Sequence, residues 1–525
     1  AATSEQLGWR ARAMAKEKGK KKSPPTTKSL GAMAADEGEE KKENMVMLRS
    51  RDGMEFVVPQ LEASQSMLIQ EKIRYDSANY IIPSDGDGTK YKPIRLAVQG
   101  NILSKVVQYC KKHASGNDPS WDAKFIDDLD HETLCELILA AHYVCNRGLL
   151  DLTCQAVANM IKGKSSREIC KIFNISSYMT HCKKKISDVE NVKITHALTK
   201  ATLEQNALRA LHLVRCQEFT GYDPKKHGYI CTRFCSSNIA FFDLDEESTI
   251  ARGPPLHRIT GPIWEWGEQS LVNVISLKVP ESEVGYNFSI FGTVLARDEV
   301  DYRCLYLFRR EKDDAQIITS PDDMLTLTDP CRGLVLSDRI YFEISLKIKC
   351  DGGAVKDFSR GVLSFERTRL PTDQQTMTIC LHSWLSRVEL SCAHVYRPVE
   401  ATIAINILKG PCNLSRVAAS TYGNFKDHII LYGSEAGSTQ PLMCHGGSSV
   451  PLTRHVVAVP LDKELLLQLV GDDKTDVLFV TLGQCDEEYV CQMGLSEVQV
   501  KVAWTGIPKR TRYNLDVVGG VSLLQ

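Results

Sequence analysis

The segment from Leu137 to Lys164 most constrains the fold, because it encodes two consecutive helices that are apolar on more than one side. In the second helix, one row of apolar side chains at helical spacing consists of Leu150, Cys154, Val157 and Ile161. A second row consists of Leu149, Leu152, Ala156 and Met160. One row can build the core of the domain itself. The other row therefore requires a partner.

Length and composition indicate a multidomain protein that recognises its partners by shape. A chain of 525 residues is too long for one ordinary core, and this length favours about three domains. The net charge of -1 argues against nucleic acid or an anionic membrane as a partner. No apolar run approaches the roughly 18 to 20 residues of a membrane span, and the basic start lacks the apolar core of a signal peptide. We expect a cytoplasmic and nuclear protein whose 18 cysteines are mostly reduced and buried.

The first part of the chain predicts a tail followed by a mixed α/β domain. Residues 1–44 are too rich in charge and too poor in apolar side chains to fold, so we expect disorder there. The pair Asp52-Gly53 stands between two runs of strand-forming residues and predicts a β-hairpin. Helical spacing follows, interrupted by the glycine-rich segment Ser84 to Thr89, which we expect to be a surface loop. The predicted domain covers residues 45–175.

The second part of the chain predicts a helix and then a β-rich domain. Residues 176–220 are polar with a helical apolar stripe formed by Leu203, Ala207, Ala210, Leu211 and Val214, which indicates a linker helix. From residue 221 to residue 507 the periodicity changes to two, as in the alternation from Ile340 to Ile348. Many short strands separated by glycine and proline predict an antiparallel β-sandwich or barrel. Residues 508–525 form the expected C-terminal tail.

Three segments of the first domain closely resemble the Skp adaptor of Skp-cullin-F-box ubiquitin ligases. They are Met47 to Phe56, Ile102 to His113, and Trp121 to Lys164, in the order that the family has them. The resemblance implies a BTB/POZ fold of the Skp type that binds a cullin on one face and an F-box protein through its last helices. It implies an adaptor and not a catalyst.

The same resemblance implies the positions of the two partner sites. An Asn-Tyr pair on the cullin face of the family corresponds to His142 and Tyr143, and the histidine alters the hydrogen-bonding groups and introduces titration near neutral pH. This change is either a tolerated surface substitution or a change in cullin affinity. The implied F-box contacts are Leu149, Leu152, Ala156, Met160, Ile169, Ile172 and Phe173. The acidic helix that closes the family's F-box clamp is missing, and a basic stretch at 176–185 stands in its place, which puts F-box binding in doubt.

The fingerprints of enzymes are not found in the sequence. It contains no Gly-x-x-x-x-Gly-Lys-Ser/Thr, no Gly-x-Gly-x-x-Gly and no Gly-x-Ser-x-Gly, so we predict no catalytic residue and no cofactor. His131-Glu132 begins a zincin-like pattern, but Cys135 stands where the second histidine is needed, and the pair is better interpreted as a helix start.

Two further groups of residues have side chains of the types that bind metal ions. Neither Cys231 and Cys235 nor Cys485 and Cys491 have the paired spacing of a zinc knuckle, so no metal site is predicted. The acidic segment from Asp243 to Glu247 has the ligand type of a cation site, but an exposed acidic turn is the more ordinary explanation.

The β-rich half resembles an uncharacterised domain of grass proteins, through motifs such as Gly221-Tyr-Asp-Pro and Arg339 to Lys349, and its ligand is unknown. Our leading hypothesis is a Skp-like adaptor with an appended interaction domain. In that hypothesis the β domain takes, within the same chain, the place of an F-box receptor. The alternative is a non-ligase scaffold or binding protein, with a role in defence as one option, in which the Skp-like part engages neither cullin nor F-box. An enzyme in the β domain is the weakest hypothesis.

Overall fold

The computed structural model describes residues 44–75, 80–82, 92–175, 191–236, 238–259, 270–350, 353–367, 376–421, 428–433, 442–444, 446–461, 463–471 and 476–508. Apart from residues 44 and 508, the two predicted tails lie outside the described residues. The predicted loop from Ser84 to Thr89 and the basic stretch at 176–185 also lie outside them.

The described helices are α1 Gln60–Ala63, α2 Met67–Tyr75, α3 Gly100–Ala114, α4 Pro119–Asp127, α5 His131–Tyr143, α6 Arg147–Ile161, α7 Ser166–Ile172 and α8 Asn191–Glu218. Short 3-10 turns occur at Leu256–Arg258 and Lys312–Asp314. The first strands are β1 Met45–Arg49, β2 Glu55–Pro59, β3 Ile81–Ile82, β4 Ile94–Arg95, β5 Thr220–Asp223 and β6 Gly228–Cys231.

The strands that follow fall into two successive groups. The first group is β7 Ser270–Ser282, β8 Phe288–Arg297, β9 Leu305–Arg310, β10 Gln316–Ile318, β11 Leu334–Leu336, β12 Arg339–Lys349, β13 Val355–Glu366, β14 Thr376–Ser383 and β15 Ser386–Tyr396. The second group is β16 Pro398–Lys409, β17 Cys412–Ser420, β18 Ile429–Gly433, β19 Leu442–Cys444, β20 Ser448–Ser449, β21 Val456–Pro460, β22 Leu465–Gly471, β23 Val477–Leu482, β24 Glu488–Met493 and β25 Ser496–Thr505.

The N-terminal domain is a small sheet covered by helices. Strand β1 pairs antiparallel with β2 and β3 and parallel with β4. The predicted hairpin at Asp52-Gly53 is confirmed, and Gly53 has a φ of +90°, a conformation that favours glycine. The core between this sheet and the helices contains fully buried side chains that include Val46, Leu103 and Leu137.

The first group of strands forms a β-sandwich. One sheet has the order β10-β8-β12-β13, with β9 also on β8, and the facing sheet has the order β11-β7-β15-β14. The predicted alternation in β12 is confirmed, because Ile340, Phe342 and Ile344 are completely buried while Lys347 is exposed. Aromatic side chains such as Phe358 fill the space between the sheets.

The second group forms another β-sandwich. One sheet has the order β20-β16-β25-β24, with β21 also on β16, and the other has the order β18-β17-β22-β23, with β19 also on β17. Its core is separate and is rich in side chains such as Val417, Leu467 and Val500. Within the described strands no sheet closes on itself, so the sandwich alternative is confirmed and the barrel alternative is wrong. The range 221–507 therefore contains two β cores.

The two sandwiches meet through buried polar side chains and a small apolar cluster. The amide of Asn273 in β7 donates to the Ala458 carbonyl at 2.8 Å and accepts from the Ala458 backbone nitrogen at 2.9 Å. The Gly333 nitrogen donates to a carboxylate oxygen of Glu400 at 2.6 Å. These contacts of Asn273 and Glu400 hold the two sandwiches together. Beside them, and within the first sandwich, both carboxylate oxygens of Asp298 pair with the Arg332 guanidinium.

A short segment joins α8 to the first sandwich. Strands β5 and β6 form a hairpin, and Phe234 beyond it is buried against Tyr302 and Tyr341. The completely buried Arg297 donates to Glu343 at 2.8 Å, and Glu343 also accepts from the Phe234 nitrogen at 2.7 Å. The buried ion pair of Arg297 and Glu343 therefore fixes the segment between α8 and the first sandwich at Phe234. None of the helices in the described residues is both long and apolar enough to cross a membrane.

Candidate functional site

The candidate site is built on α5 and α6, and the local sequence determines where each helix begins. Asp130 caps α5 by accepting from the Thr133 nitrogen at 2.7 Å, and this hydrogen bond holds the pKa of Asp130 below its usual value. Asn146 caps α6 by accepting from the Leu149 nitrogen at 3.0 Å. Between them, Cys145 has a positive φ of 54°, which turns the chain so that α6 packs back on α5. The zincin-like pair at His131 is the start of α5.

One side of this helix pair belongs to the core of the N-terminal domain. Leu137, Ala141 and Val144 are completely buried there, and Leu149 at the start of α6 is buried with them. Leu149, which the resemblance places in the F-box contact, is therefore not available at the surface. Helical periodicity alone does not reveal which of two apolar rows faces the domain's own core.

The other side of the helix pair forms an apolar groove. We call it the α5–α7 groove, and its fully or nearly fully buried members are Leu134, Cys135, Ile138, Cys154, Val157, Ile161, Ile169, Cys170 and Phe173. Helix α8 closes this groove with its own apolar side, formed by Ala207, Leu208, Ala210, Leu211 and Val214. The linker helix predicted from this stripe is thus confirmed as a helix, and it packs against the Skp-like part.

The remaining residues of the implied F-box contact lie in or beside this groove. Ile169 and Phe173 are buried members of it, and Ile172, Ala156 and Met160 are partly exposed at its edge. Leu152 is partly exposed but packs against the core of the N-terminal domain instead. The structure thus brings five of the seven implied residues together and separates Leu149 and Leu152 from them.

The groove is filled incompletely at one end. A cleft of about 330 Å³ remains between the start of α5, the end of α7 and the first described side chains of α8. Polar groups line its rim, among them Asp130, Lys200 and Glu204. The centre of the groove, around Ile138 and Ala210, leaves no exposed area on either side chain.

The implied cullin residues lie at the far end of α5. His142 follows the groove residue Ile138 by four residues, whereas Tyr143 is on another side of the helix. Tyr143 is 41% exposed, and its hydroxyl accepts a hydrogen bond of 3.3 Å from the Ala97 nitrogen beside β4. At 100° per residue, Tyr143 is rotated by about 140° from the groove residue Ile138. His142 is partly exposed next to it. A partner that touches Tyr143 therefore approaches a surface different from the groove.

Comparison with known proteins assigns these helices to a family. Residues 44–115 match the family described as "Skp1 family, tetramerisation domain", and residues 147–181 match "Skp1 family, dimerisation domain". SKP1-like protein 1 of Oryza sativa subsp. japonica is 40% identical over 171 residues, which are 28% of this chain and 90% of the relative. The chain belongs to the SKP1-like family. SKP1-like protein 11 of Arabidopsis thaliana is 43% identical over 145 residues, which are 26% of this chain and 87% of that relative.

The two sandwiches match a different family. Residues 271–502 match the family described as "Domain of unknown function (DUF6598)", a range that includes both β cores. The described part of α8, from Asn191 to Glu218, lies between the SKP1-like matches and this one. In this SKP1-like chain, the helix that fills the α5–α7 groove is therefore outside the segments that match either family.

Three buried cysteines of the SKP1-like domain do not have the properties of nucleophiles. Burial is the main cause that raises the pKa of Cys110, Cys135 and Cys154 to about 12. At neutral pH they are thiols and not thiolates, so they act as small apolar side chains in the core and the groove.

Several of the candidate metal ligands make contacts with other side chains of the protein instead. Thiol hydrogen bonding with Cys235, followed by burial, raises the pKa of Cys231. Among the described residues, no group of three histidine, cysteine or acidic side chains has the geometry to hold a metal ion. In the acidic segment, Asp245 pairs with Arg233 at 3.0 Å and Glu247 pairs with Arg309 at 2.8 Å. The structure thus uses these carboxylates to attach the segment to the first sandwich.

Proposed function

We propose that the chain is a non-catalytic, Skp-like adaptor subunit of a Skp-cullin-F-box ubiquitin ligase, and that it binds a cullin through the surface around Tyr143. The observation that carries this proposal is the exposed phenol of Tyr143 on a domain of the SKP1-like family. The sequence resemblance places the family's cullin contact at His142 and Tyr143. The appended sandwiches supply the interaction surface of the complex.

The local structure suits Tyr143 for such a contact. An aromatic side chain provides a large contact area with few rotatable bonds, so little conformational entropy is lost on binding. The hydrogen bond from the Ala97 nitrogen fixes the hydroxyl and with it the direction of the ring. Because this surface lies away from the α5–α7 groove, α8 does not cover it. Among the described residues, the ring of Tyr143 therefore keeps an exposed surface for a cullin.

Cullin capture by the purified full chain tests this function. We expect the unaltered chain to bind a recombinant cullin N-terminal region, and Tyr143→Ala to weaken the affinity by about thirtyfold, which corresponds to about 2 kcal/mol for an interface hot spot. Tyr489→Ala is the matched control, because Tyr489 is 45% exposed but lies on β24 of the second sandwich. An unaltered chain that fails to bind the cullin region would overturn the proposal.

A second change tests the role of the histidine. His142→Asn restores the residue that the family carries at this position. If the substitution is a tolerated surface change, the cullin affinity should stay within about twofold, as is usual for surface substitutions of about 0.5 kcal/mol. A tenfold or larger change would show that His142 tunes the cullin contact. The measurement is the same titration, made with the unaltered chain in parallel.

The second candidate function is a scaffold that does not belong to a ligase. The covered groove is the observation that favours it, because an adaptor of this type needs its groove for a partner. In this case the SKP1-like domain serves as a structural base for the sandwiches. The two candidates differ in one result, which is cullin binding by the full chain.

A further inference from the structure

We infer that α8 occupies, within the same chain, the groove that the resemblance assigns to an F-box protein, so that the complete chain excludes a separate F-box subunit and presents its own sandwiches as the receptor. This inference rests on the proposed function for its biological setting. The physical claim is that α8 and an F-box protein compete for the α5–α7 groove.

The first support is the apolar side of α8. Leu208, Ala210, Leu211 and Val214 are each at most 4% exposed, and they recur at helical spacing. Toward the two ends of the helix, Ala201 and Gln217 are exposed to solvent. A free linker helix would leave its apolar side chains in water, whereas here all four are removed from it. Burial of each large aliphatic side chain stabilises the docked position of α8.

The second support is that the groove residues in contact with α8 come from several helices. The groove residues that meet α8 come from three helices, with Ile138 from α5, Val157 from α6 and Ile169 from α7. Val157 belongs to one of the two apolar rows of α6, and the other row divides, with Leu149 in the domain core and Met160 at the edge of the groove. The apolar side chains of α6 that the domain core leaves over are therefore covered within the same chain.

The third support is a set of polar contacts around the apolar centre. Asn206 of α8 donates to Glu136 of α5 at 3.4 Å, and Gln217 donates to Asp151 of α6 at 2.5 Å. These contacts place the middle of α8 beside the middle of α5 and its end beside the start of α6. The helix thus has one position along the groove. Contacts of this type set the register of a docked helix even where they add little affinity.

The segment beyond α8 extends the same contact. Ala240 is buried in the groove cluster, and the Phe241 carbonyl accepts a hydrogen bond of 3.4 Å from Ser166 of α7. The guanidinium of Arg147 lies 4.7 Å from the centre of the Tyr229 ring in β6. Described residues beyond α8 therefore continue the contact with the groove and with α7.

Covalent connection favours α8 in this competition. A tethered segment competes at an effective concentration that is in the millimolar range for short flexible linkers. A separate F-box protein must first displace the buried side of α8, and its apparent affinity falls by the fraction of chains in which the groove is open. We therefore expect the unaltered chain to bind an F-box protein weakly, although groove side chains such as Ile169 and Phe173 match the family.

The experiment compares two alanine-to-aspartate changes on the same helix of the full chain. Ala210→Asp places a carboxylate in the centre of the groove contact, where Ala210 has no exposed area, and it should release α8. Ala201→Asp makes the same chemical change at an exposed position and is the matched control. The probe is a purified F-box protein, measured by direct binding without cullin.

We expect Ala210→Asp to raise the F-box affinity at least tenfold over the unaltered chain, and Ala201→Asp to leave it unchanged. Strong F-box binding by the unaltered chain, or no gain in Ala210→Asp, would overturn the inference. A parallel cullin measurement separates this result from the proposed function, because the cullin surface at Tyr143 is not part of the groove. Loss of cullin binding by the unaltered chain overturns the proposed function and leaves the F-box comparison readable.

A milder pair of variants covers the case in which Ala210→Asp does not fold, as judged by circular dichroism and thermal melting. Leu211→Ala and Val214→Ala remove apolar area from the α8 side of the groove without burying a charge. Both should increase F-box binding, and Leu211→Ala should do so more strongly because it removes more apolar area. If both retain the circular dichroism spectrum of the unaltered chain and neither gains F-box binding, α8 does not compete for the groove and the inference is wrong.

Discussion

The chain holds its regions together through two contacts of opposite character. The α5–α7 groove meets α8 through aliphatic side chains, with hydrogen bonds toward its edges. The two sandwiches meet through buried polar groups such as Asn273 and Glu400, and the ion pair of Arg332 with Asp298 lies beside this junction and is completely removed from solvent. The first contact depends on apolar area, which is not directional, whereas the second depends on the geometry of each pair.

This difference has a consequence for how each contact responds to change. An apolar contact tolerates substitutions that conserve volume. It can also open and close, because exposure of either apolar surface to water is only moderately unfavourable. A buried ion pair tolerates little, because removal of one partner leaves the other charge in a medium of low polarity. The groove is thus suited to exchange of partners, and the junction between the sandwiches is suited to a fixed arrangement.

The largest expected effect is beside the junction. Arg332→Ala leaves the buried carboxylates of Asp298 and Asp301 without their counterion, and should cost about 3–5 kcal/mol in the free energy of unfolding of the sandwiches. Urea denaturation followed by tryptophan fluorescence measures this loss. Arg309→Ala is the control, because its pair with Glu247 is exposed and should contribute about 0–1 kcal/mol. Equal losses in both variants would contradict the difference between buried and exposed pairs.

The next largest effect is in the groove, where the volume of a side chain should affect stability more than its chemical type. Leu211→Ala should cost about 3 kcal/mol by leaving a cavity against α5 and α6, whereas Leu211→Met should cost less than about 1.5 kcal/mol. The corresponding conservative change beside the junction, Arg332→Lys, should cost more than Leu211→Met, because lysine does not reproduce the two-point contact with Asp298. Equal losses of stability in Arg332→Lys and Leu211→Met would contradict the difference between the two contacts.

A smaller effect is expected where the junction uses an uncharged side chain. Asn273→Ala leaves the Ala458 nitrogen and carbonyl of β21 without their partners, and should cost about 1–3 kcal/mol. Asn406→Ala is a suitable comparison, because Asn406 donates to Gln499 at 2.9 Å outside the junction, where water replaces the lost partner. The same denaturation experiment checks both. An Asn273→Ala variant as stable as Asn406→Ala would show that the amide does not bridge the sandwiches.

The sequence predicted the groove better than it predicted the junction. The stripe at Ala207, Leu211 and Val214 was visible as helical periodicity, and so was the need of α6 for a partner. Their pairing was not visible, because periodicity identifies an apolar side and not what covers it. The hypothesis that the β domain takes the place of an F-box receptor stays a prediction, and the structure adds that α8 and residues after it fill the groove.

The division of the β-rich half into two sandwiches was not predictable by the same reasoning. Alternation in β12 or β16 identifies the buried face of a strand, but it does not identify the sheet that lies opposite. The buried charges were missed for a related reason. In the sequence, Arg297 and Arg332 look like ordinary surface residues, and only the folded chain brings each of them to a carboxylate.

The smallest expected effect is a pH dependence that belongs to the junction. Burial raises the pKa of Glu400, against the opposing effects of the hydrogen bond from the Gly333 nitrogen and of Arg252. An acid whose pKa is raised by folding stabilises the fold at pH values below its unfolded pKa, and this contribution is lost as the pH rises through the folded pKa. Relative to Glu400→Gln, the unaltered chain should therefore lose stability as the pH rises above the ordinary glutamate value of 4.5.

A second glutamate provides a control of opposite sign. The Arg387 guanidinium, which hydrogen-bonds Glu281 at 2.7 Å, lowers the pKa of this exposed carboxyl, so its contribution is lost as the pH falls below its ordinary value of 4.5. The difference in melting temperature between the unaltered chain and Glu281→Gln should stay constant from about pH 5 to pH 7. If Glu400→Gln also shows a constant difference, the charge of Glu400 is balanced within the junction by Arg252 and Arg332. In that case the junction, although polar, is insensitive to pH, and the contrast with the groove is restricted to geometry.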